Sequence, residues 1–307
     1  MSFFSINLRG GVVSKQEVFP SYTITDWREA TASFGKDMGK VLDVAFVDRN
    51  IFARDGYPIP CRIFNNELSS DSPVFIFYPG CAFLFDFFEL HTVIASRIAK
   101  KAKIKVILVQ FRLAPEYPVL TSLSDSYEVA RYIALHPELF GIDPKRLFIG
   151  GWCSGANAAT FVSKVARETK DFNIHHQILL GGSFDLSHSF HAFDSFEAQD
   201  RTLDRRLIAH LAELFYDMDS AKNPIFSPYW EKDVTNFPAT TLLCGEFDAL
   251  RNDSEAYFEK LKGANVSVDK IVLEGEGHNQ IVMESLVSSK TDPTTEIAKT
   301  LRRKLAI

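Results

Sequence analysis

The stretch Arg146-Leu-Phe-Ile-Gly-Gly-Trp-Cys-Ser-Gly-Ala-Asn-Ala-Ala-Thr160 constrains this chain more than any other. It opens as an apolar run at Leu147–Ile149, turns through Gly150 and Gly151, and continues in small residues suited to a helix lying close against a sheet. The pattern predicts strand, tight turn, helix. Gly151, Cys153 and Gly155 have the spacing of a nucleophile elbow, G-x-Nuc-x-G. In such a turn a reactive side chain stands at the tip, above a helix N-terminus. Glycines flank it because the backbones pass too closely for a Cβ. Serine holds the tip in most such turns; here it is Cys153.

The flanking chain supplies the sheet that an elbow needs. Strand-like runs occur at Val44–Val47, Ile59–Phe64 and Pro73–Tyr78, then at Lys105–Phe111, Gln177–Leu180, Thr240–Cys244 and Val266–Leu273. Several are continuously apolar, as in strands buried on both faces. Helical periodicity falls between them, at residues 88–101, Ser122–His136, Ser154–Glu168, Asn252–Gly263 and Glu296–Leu305, and Gly141-Ile-Asp-Pro144 reads as a turn. Strands alternating with helices imply crossover connections and a mainly parallel sheet, hence an α/β fold. Residues 1–43 read as short helices. The polar, partly helical excursion of about 187–222 suits a lid between two strands.

Composition narrows the function classes. With 307 residues and 46% hydrophobic content there is ample material for one large core. A net charge of −5, with no long charge block, argues against nucleic acid or an anionic membrane as the main partner. No run approaches the roughly 18 apolar residues of a membrane span, and no signal-peptide pattern opens the chain. The reading is a soluble, cytoplasmic protein. The four cysteines, Cys61, Cys81, Cys153 and Cys244, form neither a CxxC pair nor a disulfide framework, so no metal site or cofactor is expected. The Gly-rich turn is not a nucleotide loop: Trp152 stands where G-x-G-x-x-G needs glycine.

An elbow implies partners. The order nucleophile, acid, histidine places the last two after late strands. Asp248 follows the strand Thr240–Cys244, and His278 follows the last strand. Both lie at strand C-terminal ends, where an open parallel sheet gathers its site. Glu246 and Asp253 are rival acids whose motif positions suggest surface roles. His175, His176, His188, His191 and His210 read as surface or cap residues. Arg112, Glu116 and Asp125 read as a structural network.

These motifs together resemble the hormone-sensitive-lipase-like branch of the α/β-hydrolase esterases. Phe111-Arg-Leu-Ala-Pro-Glu-Tyr-Pro118 is similar to that family's Y-R-L-A-P-E-x-P. Gly150-Gly-Trp-Cys-Ser-Gly-Ala-Asn-Ala-Ala159 is similar to its G-D-S-A-G-G-N-L-A stretch, and Asp248-Ala-Leu-Arg251 to its D-P-L-R. Ser227-Pro228 matches a family S-P before the acid strand. The resemblance implies an α/β-hydrolase domain over 44–307, with 1–43 and about 187–222 forming a helical cap. It also implies hydrolysis of a small ester, lactone or thioester by a monomer or homodimer.

The resemblance assigns site residues too. Cys153, His278 and Asp248 would form the catalytic triad. Backbone N–H groups of Cys81, Ala82 and Ser154 would form an oxyanion hole, since Pro79-Gly-Cys-Ala-Phe83 stands where the family has H-G-G-G-F. His91 supports that register. Two usual glycines carry side chains here, which would be strained wherever φ > 0 is demanded. Phe83 and Trp152 would contact substrate, with Phe85, Phe87 and Phe88 near the same apolar pocket; Trp152 replaces a family Asp. Three readings of Cys153 stand. It is a thiol nucleophile activated by His278, as in the Cys-Asp-His triads of dienelactone hydrolases. Or it marks a degenerate site that binds a small ligand. Or a serine was replaced to trap substrate.

Overall fold

A computed structural model describes residues 44–187, 221–278 and 292–306, together with Thr25, Arg28 and Leu203. Its frame is an eight-stranded sheet: β1 Phe46–Phe52, β2 Pro58–Phe64, β3 Ser72–Tyr78, β4 Lys105–Val109, β5 Ile142–Trp152, β6 His176–Leu180, β7 Thr240–Gly245 and β8 Val268–Leu273. The strand order is β1-β2-β4-β3-β5-β6-β7-β8. β2 pairs antiparallel with both β1 and β4, and every other pairing is parallel. Helices α1 Phe88–Ala102, α2 Val119–Leu135, α3 Pro137–Phe140, α4 Ser154–Thr169, α5 Arg251–Gly263 and α6 Pro293–Leu305 flank it.

The continuous apolar runs work as the pleat dictates. Successive side chains of a strand leave opposite faces, so a doubly covered strand must be apolar at every position. Val74, Ile76 and Tyr78 of β3 join the core beneath α2, α4 and α5. Phe75 and Phe77 join the core beneath α1 and α6. β4 and β5 split in the same way: Ile107, Val109, Leu147 and Ile149 lie on the first face, and Val106, Leu108 and Phe148 on the second.

Three boundaries differ from the sequence reading, each for a local reason. β1 runs to Phe52, well past Val47, because it is an edge strand whose Asp48, Arg49 and Asn50 face solvent and hide the pattern. The predicted turn at Gly141–Pro144 shrinks to Gly141, whose φ is +57°. Its carbonyl accepts from the amides of Asp71 and Ser72 and from the ammonium of Lys105, and β5 starts at the next residue. The short α3, with Pro137 at its first position, was absent from the sequence reading. The proposed cap, 1–43 and about 187–222, lies almost wholly outside the described residues.

The loop after β4 is fixed by a buried ion pair. Asp125 on α2 accepts from the backbone N–H of Arg112 at 3.0 Å and from its guanidinium at 3.0 and 2.7 Å. The two side chains are 8% and 1% exposed. Four residues on, Glu116 pairs with Arg28, whose guanidinium also reaches the carbonyls of Leu84 and Ala114. The expected network is therefore present, and Arg28 ties it to the loop after β3. Removing Asp125 leaves the buried guanidinium with Asp55, an exposed partner at 2.6 Å. Asp125→Ala should therefore cost about 3 kcal/mol of stability, the low end for a broken buried pair, read by urea unfolding.

Candidate active site

The elbow is set by close approach. A Cβ on Gly155 would lie 2.0 Å from the Tyr78 carbonyl oxygen, and one on Gly151 would lie 2.4 Å from the carbonyl carbon of Gly155. The crossing forces Cys153 to φ 54°, ψ −121°, a conformation that side-chain-bearing residues rarely adopt. The turn is held by Cys153 N–H donating to Leu180 O at 2.9 Å and by Ala156 N–H donating to Cys153 O at 2.9 Å. Cys153 thus stands between the C-terminal end of β5 and the first turn of α4.

Asp248 and His278 arrive from the ends of β7 and β8. Asp248 Oδ1 lies 3.0 Å from His278 Nδ1 and accepts the Leu250 N–H at 2.7 Å. Their side chains are 3% and 2% exposed. Gly181, at the end of β6, has φ +52°, and a Cβ there would press on Asp248 Oδ2 at 2.9 Å and His278 Nδ1 at 3.3 Å. Burial works against a charge on His278. The Asp248 carboxylate and the Cys153 sulfur outweigh it, by charge and by hydrogen bond, and hold the imidazole well above its ordinary range. The three residues predicted as a triad are therefore brought together.

Cys153 also differs from the other thiols. It is half-buried, whereas Cys61, Cys81 and Cys244 are fully buried; all four are free. Burial pushes Cys61 up, and Cys81 and Cys244 up to about 12. Among the described residues, no cluster of His, Cys, Asp or Glu could hold a metal ion.

The loop after β3 is more committed than the sequence suggested. Cys81 N–H, an expected oxyanion donor, donates to Ser154 Oγ at 2.9 Å, and that hydroxyl lies 3.8 Å from Cys81 Sγ. Gly80 N–H donates to Nε2 of His91 at 2.9 Å, and His91 Nδ1 lies 2.8 Å from Phe87 O. Burial lowers His91 to about 4, so the ring is neutral, with its proton on Nδ1. Ala82 and Phe83 both have positive φ, 50° and 59°. Strain expected at one of two glycine positions thus falls on Ala82 and on Phe83, whereas Cys81 is spared.

The aromatic side chains settle into support positions. Phe83 is buried with its ring 5.7 Å from that of Phe111, and Phe85 stacks on Phe87 at 5.3 Å. Trp152, the last residue of β5, is 5% exposed. Its indole donates to His278 O at 3.1 Å, and its ring lies 5.6 Å from that of His91 and 5.4 Å from that of His278.

Two surface assignments need correction. Asp253 is buried at the start of α5, where it accepts the Asp185 N–H at 3.1 Å. Burial drives its carboxyl well above the usual range, and the nearby Asp185 and Asp248 add to the rise. His176 is buried in β6 with Nε2 2.8 Å from Thr241 Oγ1, and burial lowers it to about 3. A charged residue in a strand or first helical turn gives no sequence signal of which face it takes. His175 is exposed, Glu246 is half-buried and accepts the Gly275 N–H at 2.8 Å, and His188, His191 and His210 lie outside the described residues.

Comparison with known proteins agrees with this fold. A family model described as alpha/beta hydrolase fold matches residues 75–282. An α/β hydrolase of Acanthamoeba polyphaga mimivirus is 25% identical over 73% of this chain, which spans 65% of that protein's length. A carboxylesterase of Mycobacterium tuberculosis is 28% identical over 69% of this chain and 67% of its own. An ethyl acetate hydrolase of Pseudomonas putida is 22% identical over 84% of this chain and 82% of its own. The crystal structure of a Pyrobaculum calidifontis esterase superposes with a TM-score of 0.84 at 22% identity, covering 95% of this chain and 97% of that one.

Two measurements probe the site's geometry. Ala82→Gly removes the Cβ penalty at φ > 0 and should raise stability by about 1 kcal/mol, seen as a higher melting temperature. The second concerns His278, whose folded-state proton affinity exceeds its ordinary value of 6.5. Its stabilising contribution is complete below that value and is lost as pH rises through the folded midpoint. The stability difference between the native protein and His278→Gln should therefore be greatest near pH 6 and shrink steadily toward alkaline pH, measured by urea unfolding across about pH 6–9.

Proposed function

Because the chain belongs to the α/β-hydrolase family, in its hormone-sensitive-lipase-like branch, we propose that it hydrolyses carboxylic esters through Cys153, His278 and Asp248. The observation that carries this reading is the buried Asp248–His278 hydrogen bond beside a thiol at a strained elbow. Relatives named as carboxylesterase and ethyl acetate hydrolase support the reaction class.

The chemistry follows from what each group can do. The Cys153 thiol gives its proton to His278, whose charged form Asp248 favours. The sulfur attacks the acyl carbon and the carbonyl electrons move onto oxygen. Collapse of that intermediate expels the alkoxide, which takes the His278 proton and leaves a thioester. Water, deprotonated by the now neutral imidazole, adds to the thioester. Its collapse returns the sulfur as the thiolate, beside a reprotonated ring, and releases the acid. Asp248 holds the imidazole in orientation and stabilises its charged form throughout.

The developing oxyanion needs N–H donors. Those of Ala82 and Ser154 are the first candidates. That of Cys81 must exchange the Ser154 hydroxyl for the substrate oxygen, since the two compete for one proton. Residues 1–43 and about 187–222 are taken as the cap over this site. Arg28, which grips Leu84 O and Glu116, is a contact of that segment with the loop behind the site. The half-buried Phe87 and Phe88 near the loop suit a small apolar acyl or aryl group.

Hydrolysis of short p-nitrophenyl esters tests the reading. The native protein should release p-nitrophenol and show an acyl mass on Cys153. Cys153→Ala should lose at least about a thousandfold in kcat and carry no adduct. A native protein that binds esters tightly but never turns them over or acylates would instead establish a ligand-binding relative of the family.

A further inference from the structure

Trp152 is the residue that this reaction does not yet use. It adjoins the nucleophile in sequence, it touches the catalytic histidine in space, and it departs from the resembled pattern at the same elbow where serine has become cysteine. Its indole N–H closes on the His278 carbonyl at 3.1 Å, which pins the loop that carries the imidazole. Its ring centroid lies 5.4 Å from that of the imidazole, with the planes inclined by 34°. A tryptophan face within about 6 Å of a cation attracts it through the ring quadrupole, more strongly where water is excluded. Both rings are buried here.

A serine site needs a neutral imidazole ready to accept a proton. A cysteine site rests as thiolate and imidazolium, so the ring must be charged before substrate arrives. We propose that Trp152 is a positioning residue that adapts this site to a thiol: it fixes the His278 loop through one hydrogen bond and lays its ring against the imidazole so as to favour the cationic form. The idea rests on the reading of Cys153 as nucleophile.

The other groups around the imidazole divide clearly. Asp248, at the end of β7, favours the cation, as does the Cys153 sulfur on the elbow. Glu276, on the same loop as His278, is buried, and at the start of α5 Asp253 is buried while Arg251 pairs with Glu255. Cys81, on the loop after β3, is kept as a thiol by burial. His91, whose ring lies 5.6 Å from the indole, is neutral. Of the two imidazoles near Trp152, only that of His278 favours the charged form. Gly80 makes room for it: a Cβ there would lie 2.4 Å from the indole.

The test is an NMR titration of the His278 imidazole in full-length protein with a series of fluorinated tryptophans placed site-specifically at 152. Fluorination keeps the shape and the N–H and drains charge from the ring face. The proton affinity of His278 should fall stepwise along the series, by about threefold or more in total. Trp152→Phe, which keeps a ring but loses the donor, should lower it too and broaden the His278 signals, with folding checked by its melting curve. An unchanged midpoint across the fluorinated series would overturn the proposal and leave Trp152 as packing alone. The readout needs no turnover. A midpoint that moves in a protein that never acylates on Cys153 would leave the contact of indole and imidazole standing but overturn its role in adapting the site to a thiol, together with ester hydrolysis; a midpoint that stays fixed in a protein that does acylate would overturn the role of Trp152 alone.

Discussion

Everything at this site depends on one backbone crossing, where the first turn of α4 passes over the end of β3 with no space for a side chain. Gly155 meets the Tyr78 carbonyl oxygen at a distance no Cβ could tolerate. That contact brings the helix N-terminus to the edge of the sheet, drives Cys153 to φ 54° and places the loop after β3 beside the elbow. The strain is of order 1–3 kcal/mol and is offset by the doubly covered core on either side. A site so placed can draw on the ends of β3, β5, β7 and β8 at once, because adjacent parallel strands all finish on the same edge.

Much of this was legible in the sequence, for physical reasons. A strand buried on both faces has no choice but to be apolar throughout, so β3, β4 and the apolar part of β5 announce themselves. The elbow is legible because only glycine fits two of its positions, and Asp248 and His278 because each follows a strand at a turn. What stayed hidden depends on facing rather than on type. The far half of the edge strand β1, past Val47, gives no strand pattern because only Ile51 is buried in it. Asp253 and His176 look like surface residues because polarity does not reveal which side of an element is covered. The second strained residue, Phe83, gave no signal at all, since a phenylalanine with positive φ contradicts its own preference and is held there by its neighbours.

Several departures from the resembled pattern cluster at the elbow and the loop after β3. Cys81, Ala82, Trp152, Cys153 and Ser154 lie in two short stretches that touch one another. Ser154 accepts the amide of Cys81, Trp152 fills the space that Gly80 leaves, and the same indole binds the loop of His278. Cys81 and Ser154 are thus paired with each other, and Trp152 is fitted to the retained Gly80 and to the loop of the retained His278. A site losing its function by drift would accumulate substitutions that break contacts with the residues retained, yet here the Asp248–His278 bond survives in a dry setting.

That setting has a consequence for which nucleophile it can serve. Buried imidazole ordinarily sheds its proton, as His91 and His176 do in this chain. His278 keeps its proton under comparable burial because a carboxylate lies on one side and a sulfur near the other. A hydroxyl at position 153 would give no comparable charge, and the ring would move back toward neutrality. The elbow fixes where the nucleophile stands. In the proposed reaction the surroundings of His278 would decide between a thiol and a hydroxyl, and the Asp248 carboxylate, which favours the charged ring, would suit the thiol.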